Sequence, residues 1–390
     1  MKILYIHQYF KTPEESGSTR SYYLAKSLVA NGHRVEMITT HNQAFYQNKE
    51  IDGISVHYIP VPYRNEYGYV KRLSAFLKFV WQAIWLSRHH KDARISYVMT
   101  TPLSTGLIAL FNKWFRNIPY IFEVGDLWPD VPISMNIIKN RIIIALLRKF
   151  EKRCYQHASG LVGLSPEITE QIMINSQIPG VTIPNIAECK YFKPNGKTEL
   201  PKVYSINDPF VITYPGTHGR ANHLEYLIDV AQHCRDLPIK FQLVGEGAMK
   251  EQLIDLSIHL NLENIHFMDP VNKSGIKRIY DRSHAIYISF LNVPFLNTGS
   301  PNKLFDGLAA GKMVIVNFSG WVADLLKLHG VGFCYNPEIP EQFRTEIIKH
   351  LEDPSKVVSC QNAARQLALN QFDLDTLSSR QLNFIEHIAG

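Results

Sequence analysis

Short apolar segments alternate with helix-spaced ones along the whole chain and leave few folds open to it. In the first half the strand candidates are residues 3–7, 35–40, 55–59, 95–99, 120–124 and 160–164, with helical periodicity near 18–31, 70–90, 103–115, 136–157 and 166–176. The second half repeats the rhythm, with strands near 210–214, 239–244, 264–267, 285–290, 313–317 and 332–335. Alternation of this kind builds βαβ units and a parallel sheet. At 390 residues the chain outgrows one compact core, which predicts two doubly wound α/β domains. Their expected limits are 1–183 and 210–371, joined by a linker at 184–209 rich in Pro, Asn and Lys. A closing helix is expected at 372–390, packed back on the first domain. Ligands bind doubly wound sheets at the carboxyl ends of the strands, so a cleft between two such domains is the expected site.

The five cysteines lie far apart with no C-x-x-C pair, which argues against a zinc ribbon or a disulfide framework and for a reducing compartment. The N-terminus runs straight into a strand, and no apolar run reaches the roughly 18 residues of a membrane span. A cytoplasmic protein is expected. Charge is unevenly divided: residues 1–153 hold 21 Lys and Arg against 11 Asp and Glu, the remainder 20 against 24. The basic half therefore faces something anionic. Its cations are interleaved with Trp, Phe and Leu and carry no nucleic-acid motif, which favours a membrane surface over nucleic acid.

Several loops that follow strands carry polar groups. Gly17 and Ser18 precede a helix whose first N–H groups can meet a phosphate, although an ordinary loop reads the same way. In "GSPNKLFDGLAAGK", residues 299–312, Ser300 suits the N-cap and Pro301 the first helical position. Asn302, Lys303 and Asp306 then share one side of the helix. They suit a diphosphate and a ribose, or else a capped helix with a surface Lys303–Asp306 bridge. "YPGTHGR" at 214–220 offers His218 and the cation Arg220, and "LVGEGAMK" at 243–250 a tight turn at Gly245, Glu246 and Gly247. "FEVGDLWPD" at 122–130 places Glu123 and Asp126 at a strand end, for hydroxyls or proton transfer, or in solvent beside a packed Trp128 corner.

Together, "SGSTRSYYLAKSLVANGHRV", "EVGDLWPD", "LVGEG" and "GSPNKLFDGLAAGK" resemble the nucleotide-sugar-dependent glycosyltransferases of family 4. Within that family the likeness is to a subgroup that includes bacterial N-acetyl-L-fucosamine transferases. The resemblance implies the GT-B fold, two facing Rossmann-like domains with an interdomain cleft. It also implies retaining transfer from a nucleoside-diphosphate sugar with no cofactor and no obligatory metal. By it, Gly17 and Ser18 approach the β-phosphate, Arg220 and Lys303 take the diphosphate, and Asp306 holds the ribose. Ser300 and Asn302 assist, and Gly245 and Glu246 border the nucleotide. The chain departs from the family where a pair of glutamates becomes Thr298 and Asp306, which suggests an unusual, deoxygenated sugar, and the subgroup likeness implies an N-acetylated one. It departs again where Gly125 replaces a histidine beside Asp126, leaving the anomeric centre to Asp126 or backbone. The acceptors of the family's capsule and O-antigen members are often undecaprenyl-diphosphate-linked saccharides. That agrees with the basic, apolar stretches 69–91 and 139–153, which can lie on an anionic membrane or pack on the sheet. A GT-B nucleotide-sugar epimerase and a non-catalytic nucleotide-binding module are the competing readings.

Overall fold

The computed structural model describes residues 1–15, 17–63, 67–194 and 204–390. Ser16 of the first motif and 195–203 of the expected linker lie outside the described residues. The chain forms two compact units, Met1–Pro184 with Asp375–Gly390, and Asn185–Leu374.

In the first unit the strands are β1 (Lys2–Ile6), β2 (Arg34–His41), β3 (Gln47–Ile51), β4 (Ile54–Pro60), β5 (Ile95–Met99), β6 (Tyr120–Val124), β7 (Gly160–Gly163) and β8 (Gly180–Thr182). They lie in the order β3-β4-β2-β1-β5-β6-β7-β8. The strands are parallel except β3, which runs antiparallel to β4. β3 and β8 escape the sequence reading because each is a short edge strand without an apolar run. What makes β3 is its turn: Asp52 and Gly53 both have positive φ (48° and 79°), as a tight hairpin requires. Another departure is the helix expected over 136–157. Asn140 accepts from the N–H groups of Ile142 and Ile143 and starts a new helix, Arg141–Gln156, after a separate turn at Asp130–Ser134.

The closing helix, Leu374–Ala389, lies on the first unit's sheet. Leu377, Gln381 and Ile385 are buried at intervals of one turn. Phe384 covers Gly160 so closely that a Cβ there would come within 2.8 Å of its ring.

In the second unit the strands are β9 (Phe210–Pro215), β10 (Ile239–Val244), β11 (Ile265–Met268), β12 (Ala285–Ile288), β13 (Met313–Val316) and β14 (Gly332–Cys334). They run parallel in the order β11-β10-β9-β12-β13-β14. One core lies around Phe241, Leu243 and Ile315, another around Leu304, Phe305, Leu308 and Val314. The helix Asn302–Ala309 supplies the apolar stripe of the second core, which fixes the direction of its remaining side chains. Residues 185–194, assigned to the linker from sequence, pack with this unit: Cys189 and Phe192 are buried in its core, and Glu188 pairs with Lys273 at 2.5 Å.

Candidate active site

Each sheet has one point at which its strand order reverses, between β1 and β5 in the first unit and between β9 and β12 in the second. Loops leaving the carboxyl ends there diverge and open a crevice. In the second unit those loops are Gly216–Arg220 after β9 and the segment from Ser289 to Pro301 after β12, with Gly245–Gly247 after the neighbouring β10.

The two glycine loops interlock through backbone. Gly216 N–H donates to Val244 (2.9 Å), His218 N–H to Glu246 (2.9 Å), and Met249 N–H to His218 (3.0 Å). Gly245 and Gly247 have φ of 150° and 158°, and a Cβ on either would fall 1.9 Å from the Gly216 carbonyl oxygen or 2.4 Å from that of His218. Only glycine permits this approach. The His218 imidazole is fully buried with neither ring nitrogen partnered, and burial brings its pKa down to about 4, so it is neutral.

Lys303 lies on the first turn of Asn302–Ala309, its Nζ 3.9 Å from the centroid of the Tyr214 ring. A Cβ on Gly216 would sit 2.9 Å from that Nζ, so the ammonium rests against the β9 loop. Among the described residues no carboxylate lies within ion-pair distance of it, and burial lowers its pKa to about 7. The surface bridge to Asp306 is therefore absent, because the two side chains leave the helix toward different neighbours. Asp306 is half-buried near the Glu188–Lys273 pair, and burial, reinforced by Glu188, pushes its carboxyl up to about 8.

Ser300 does not cap the helix. Pro301 takes the N-cap position with extended backbone (ψ 128°), and Asn302, exposed, is the first helical residue. The carbonyl of Ser300 accepts from Asn185 Nδ2 at 2.6 Å, and that of Gly299 from Trp321 Nε1 at 2.9 Å, which pins the loop. No side chain caps this helix, so its first N–H groups remain for a ligand. Arg220 is exposed on a short 3-10 turn, and Glu246 is exposed and paired with Lys250 at 3.1 Å.

In the first unit Gly17 and Ser18 are exposed just ahead of the helix Arg20–Ala30, where Thr19 provides no side-chain cap. Glu123 is a correction. It is fully buried, takes Arg20 Nε at 2.9 Å and Nη2 at 3.2 Å, and accepts from the Tyr97 hydroxyl. Its side chain projects from a face of the sheet and does not reach solvent, because it lies within β6 rather than beyond it. Asp126, in the turn after β6, is exposed; the protein around it nevertheless raises its carboxyl above the usual range. Sequence reasoning passed over Arg20 and Tyr214. Arg20 is the first residue of a helix and Tyr214 the next-to-last of a strand, and neither position signals a partner so distant in sequence.

Two doubly wound units with ligand-ready loops at their switch points define an enzyme of the GT-B type. Residues 17–185 match the model of a glycosyl transferase 4-like domain, and residues 196–367 that of glycosyl transferases group 1. The chain is a GT-B glycosyltransferase. Among solved structures it is similar to sucrose-phosphate synthase from Thermosynechococcus elongatus, with TM-score 0.79 and 16% identity over 99% of this chain and 98% of that one. It is also similar to Anabaena HepE in complex with UDP-glucose, with TM-score 0.71 and 15% identity over 99% and 100%. A third likeness is to WaaG, a glycosyltransferase involved in lipopolysaccharide biosynthesis, with TM-score 0.65 and 14% identity over 98% and 99%. No curated protein matches the chain in sequence.

Proposed function

We propose that the protein is a retaining transferase that moves a sugar from a UDP-sugar, an N-acetylated deoxysugar, to a lipid-diphosphate-linked saccharide in capsule or O-antigen synthesis. The observation that carries this reading is Lys303, a cation lodged on an aromatic ring beside a glycine loop and an uncapped helix start, with no carboxylate among the described residues to neutralise it. A diphosphate supplies the missing negative charge. As the glycosidic bond breaks, charge builds on the leaving diphosphate, and Lys303, Arg220 and the helix N–H groups stabilise it without a divalent ion. Asp306 takes the ribose hydroxyls, and Asp126, unpaired at the end of β6, attends the anomeric centre or the acceptor. The UDP-glucose complex of HepE supports the choice of donor.

The pH dependence of donor binding tests these roles. Ribose hydroxyls bind the ionised Asp306, which in the free protein takes up a proton below about pH 8, so acid weakens binding. The diphosphate binds the charged Lys303, which in the free protein loses its proton above about pH 7, so alkali weakens binding too. Affinity for a UDP-sugar should fall about tenfold per unit below pH 7 and above pH 8, with a flat top between where the two slopes cancel. Asp306→Asn should remove the acid limb and Lys303→Ala the alkaline one, as read by calorimetry in EDTA. A pH-independent affinity in the unaltered protein would refute both assignments.

The proposed acceptor calls for a membrane surface on the cytoplasmic side. The helix Tyr69–Ser87 turns Ala75, Phe79 and Ala83 into the core and leaves Leu73, Leu77, Trp81 and Trp85, spaced one turn apart, exposed. The helix thus has two apolar faces, one packed inward and one exposed. Exposed Lys71, Lys78 and Arg88 flank the outer one. The adjoining helices Thr105–Arg116 and Arg141–Gln156 add Phe115, Ile142 and Leu146 to the exposed apolar surface. No helix of the described residues is long and apolar enough to cross a membrane, so the proposed attachment is interfacial. Replacing Trp81 and Trp85 by Ser should lower partitioning onto anionic vesicles by about tenfold or more, with little change in melting temperature. Equal co-sedimentation of the variant and the parent would exclude this surface.

A further inference from the structure

We propose that Glu36, His57 and His90 in the first unit form a binding site for a divalent transition-metal ion, with zinc as the fitting case. The three residues come together through the register of the sheet. Glu36 lies opposite Ser55 and Ile38 opposite His57, so Glu36 and His57 lie diagonally on one face of paired strands β2 and β4. His90 arrives from the turn that ends the helix Tyr69–Ser87, which lies over that face. All three are more than nine-tenths buried, and their ligand atoms lie within 4.8 Å of one another. Around a tetrahedral zinc such atoms stand about 3.4 Å apart, so side-chain rotation alone can close the site.

Each group's second contact suits this role. His57 Nε2 is 3.0 Å from Glu36 Oε2, while its Nδ1 is held at 2.6 Å by the Tyr46 hydroxyl. A metal-bound histidine typically has its other ring nitrogen fixed by such a bond. The other carboxylate oxygen, Oε1, lies 2.9 Å from Arg34 and 3.8 Å from Lys2, which leaves Oε2 turned to the histidines. A buried Glu36–His57 hydrogen bond would explain two of the three residues. It leaves His90 unexplained, its ring 5.0 Å from that of His57 and its buried Nε2 without a partner among the described residues. A pocket of about 620 Å³, lined by Tyr46, Trp81, Trp85 and His89 together with His57 and His90, gives the ion a route in and room for a fourth, exchangeable ligand.

Chelator-treated protein without a polyhistidine tag, titrated with Zn²⁺ by calorimetry, should bind one saturating equivalent and melt at a higher temperature when loaded. His90→Gln should weaken binding at least about tenfold. His259→Gln, at an exposed helix end, should not change it. Co²⁺ should give a tetrahedral absorption band that His57→Gln abolishes. Melting of each variant in EDTA checks that it folds; if His90→Gln does not, His57→Gln carries the same expectation for zinc. Absence of saturable binding, or equal binding by His90→Gln and the parent, overturns the site. These readouts are metal content and melting, so their failure leaves the role of Lys303 in the other unit untouched.

Discussion

Lys303→Ala is expected to lower kcat by about 10²–10³-fold while raising the donor KM far less, because the contact it removes strengthens as the diphosphate departs. Stability should hardly move. The ammonium makes one contact of note, over the Tyr214 ring at 3.9 Å, and such contacts contribute about 0.5–2 kcal/mol. Against that stands the cost of holding a cation away from water, visible in a pKa lowered to about 7 by burial. The two terms oppose each other, so the melting curve should shift by no more than about 1 kcal/mol equivalent. Steady-state kinetics with the true donor, beside that melt, decides the matter. Near-normal kcat would make Lys303 a packing residue.

Glu123→Ala should act on folding instead. It strips both partner oxygens from the fully buried Arg20 and the acceptor from Tyr97, and an uncompensated buried charge typically costs about 3–5 kcal/mol. Arg20 keeps one bond, to the carbonyl of Pro184, which does not neutralise it. Urea unfolding of the first unit's transition is the measurement. A variant that unfolds like the parent yet loses turnover would restore Glu123 to the catalytic set and remove it from the framework.

Most of the fold was legible in the sequence because βαβ units write their period along the chain. Strands buried on both faces, such as "ISYVM" in β5, are continuous apolar runs. Polar edge strands such as "QNKEI" in β3 carry no such mark, and the Asp52-Gly53 turn is the signal that would have found it. At the site, Lys303 and Asp306 could be picked out by type and spacing. Their separation onto different neighbours could not, because it depends on Tyr214 and Glu188, which lie 89 and 118 positions earlier in the chain. Glu123 shows the reverse error: carboxylates just beyond a strand often meet ligands, but Glu123 is still inside the ladder, opposite Met99 and Val162, so its side chain projects from a face of the sheet.

The closing helix imposes an order on biosynthesis. Its residues Asp375–Gly390 belong to the unit that begins the chain, yet the ribosome makes them only after all of Asn185–Leu374. Until then Gly160 and its strand lack the cover of Phe384, and Arg380 has yet to reach the Thr182 carbonyl. The nascent first unit therefore waits, with an apolar strip bare, through the synthesis of an entire second unit. The second unit needs no such delay, because it is continuous in the chain from Asn185 to Leu374. Chaperone demand during translation should accordingly fall on the half of the protein that is made first.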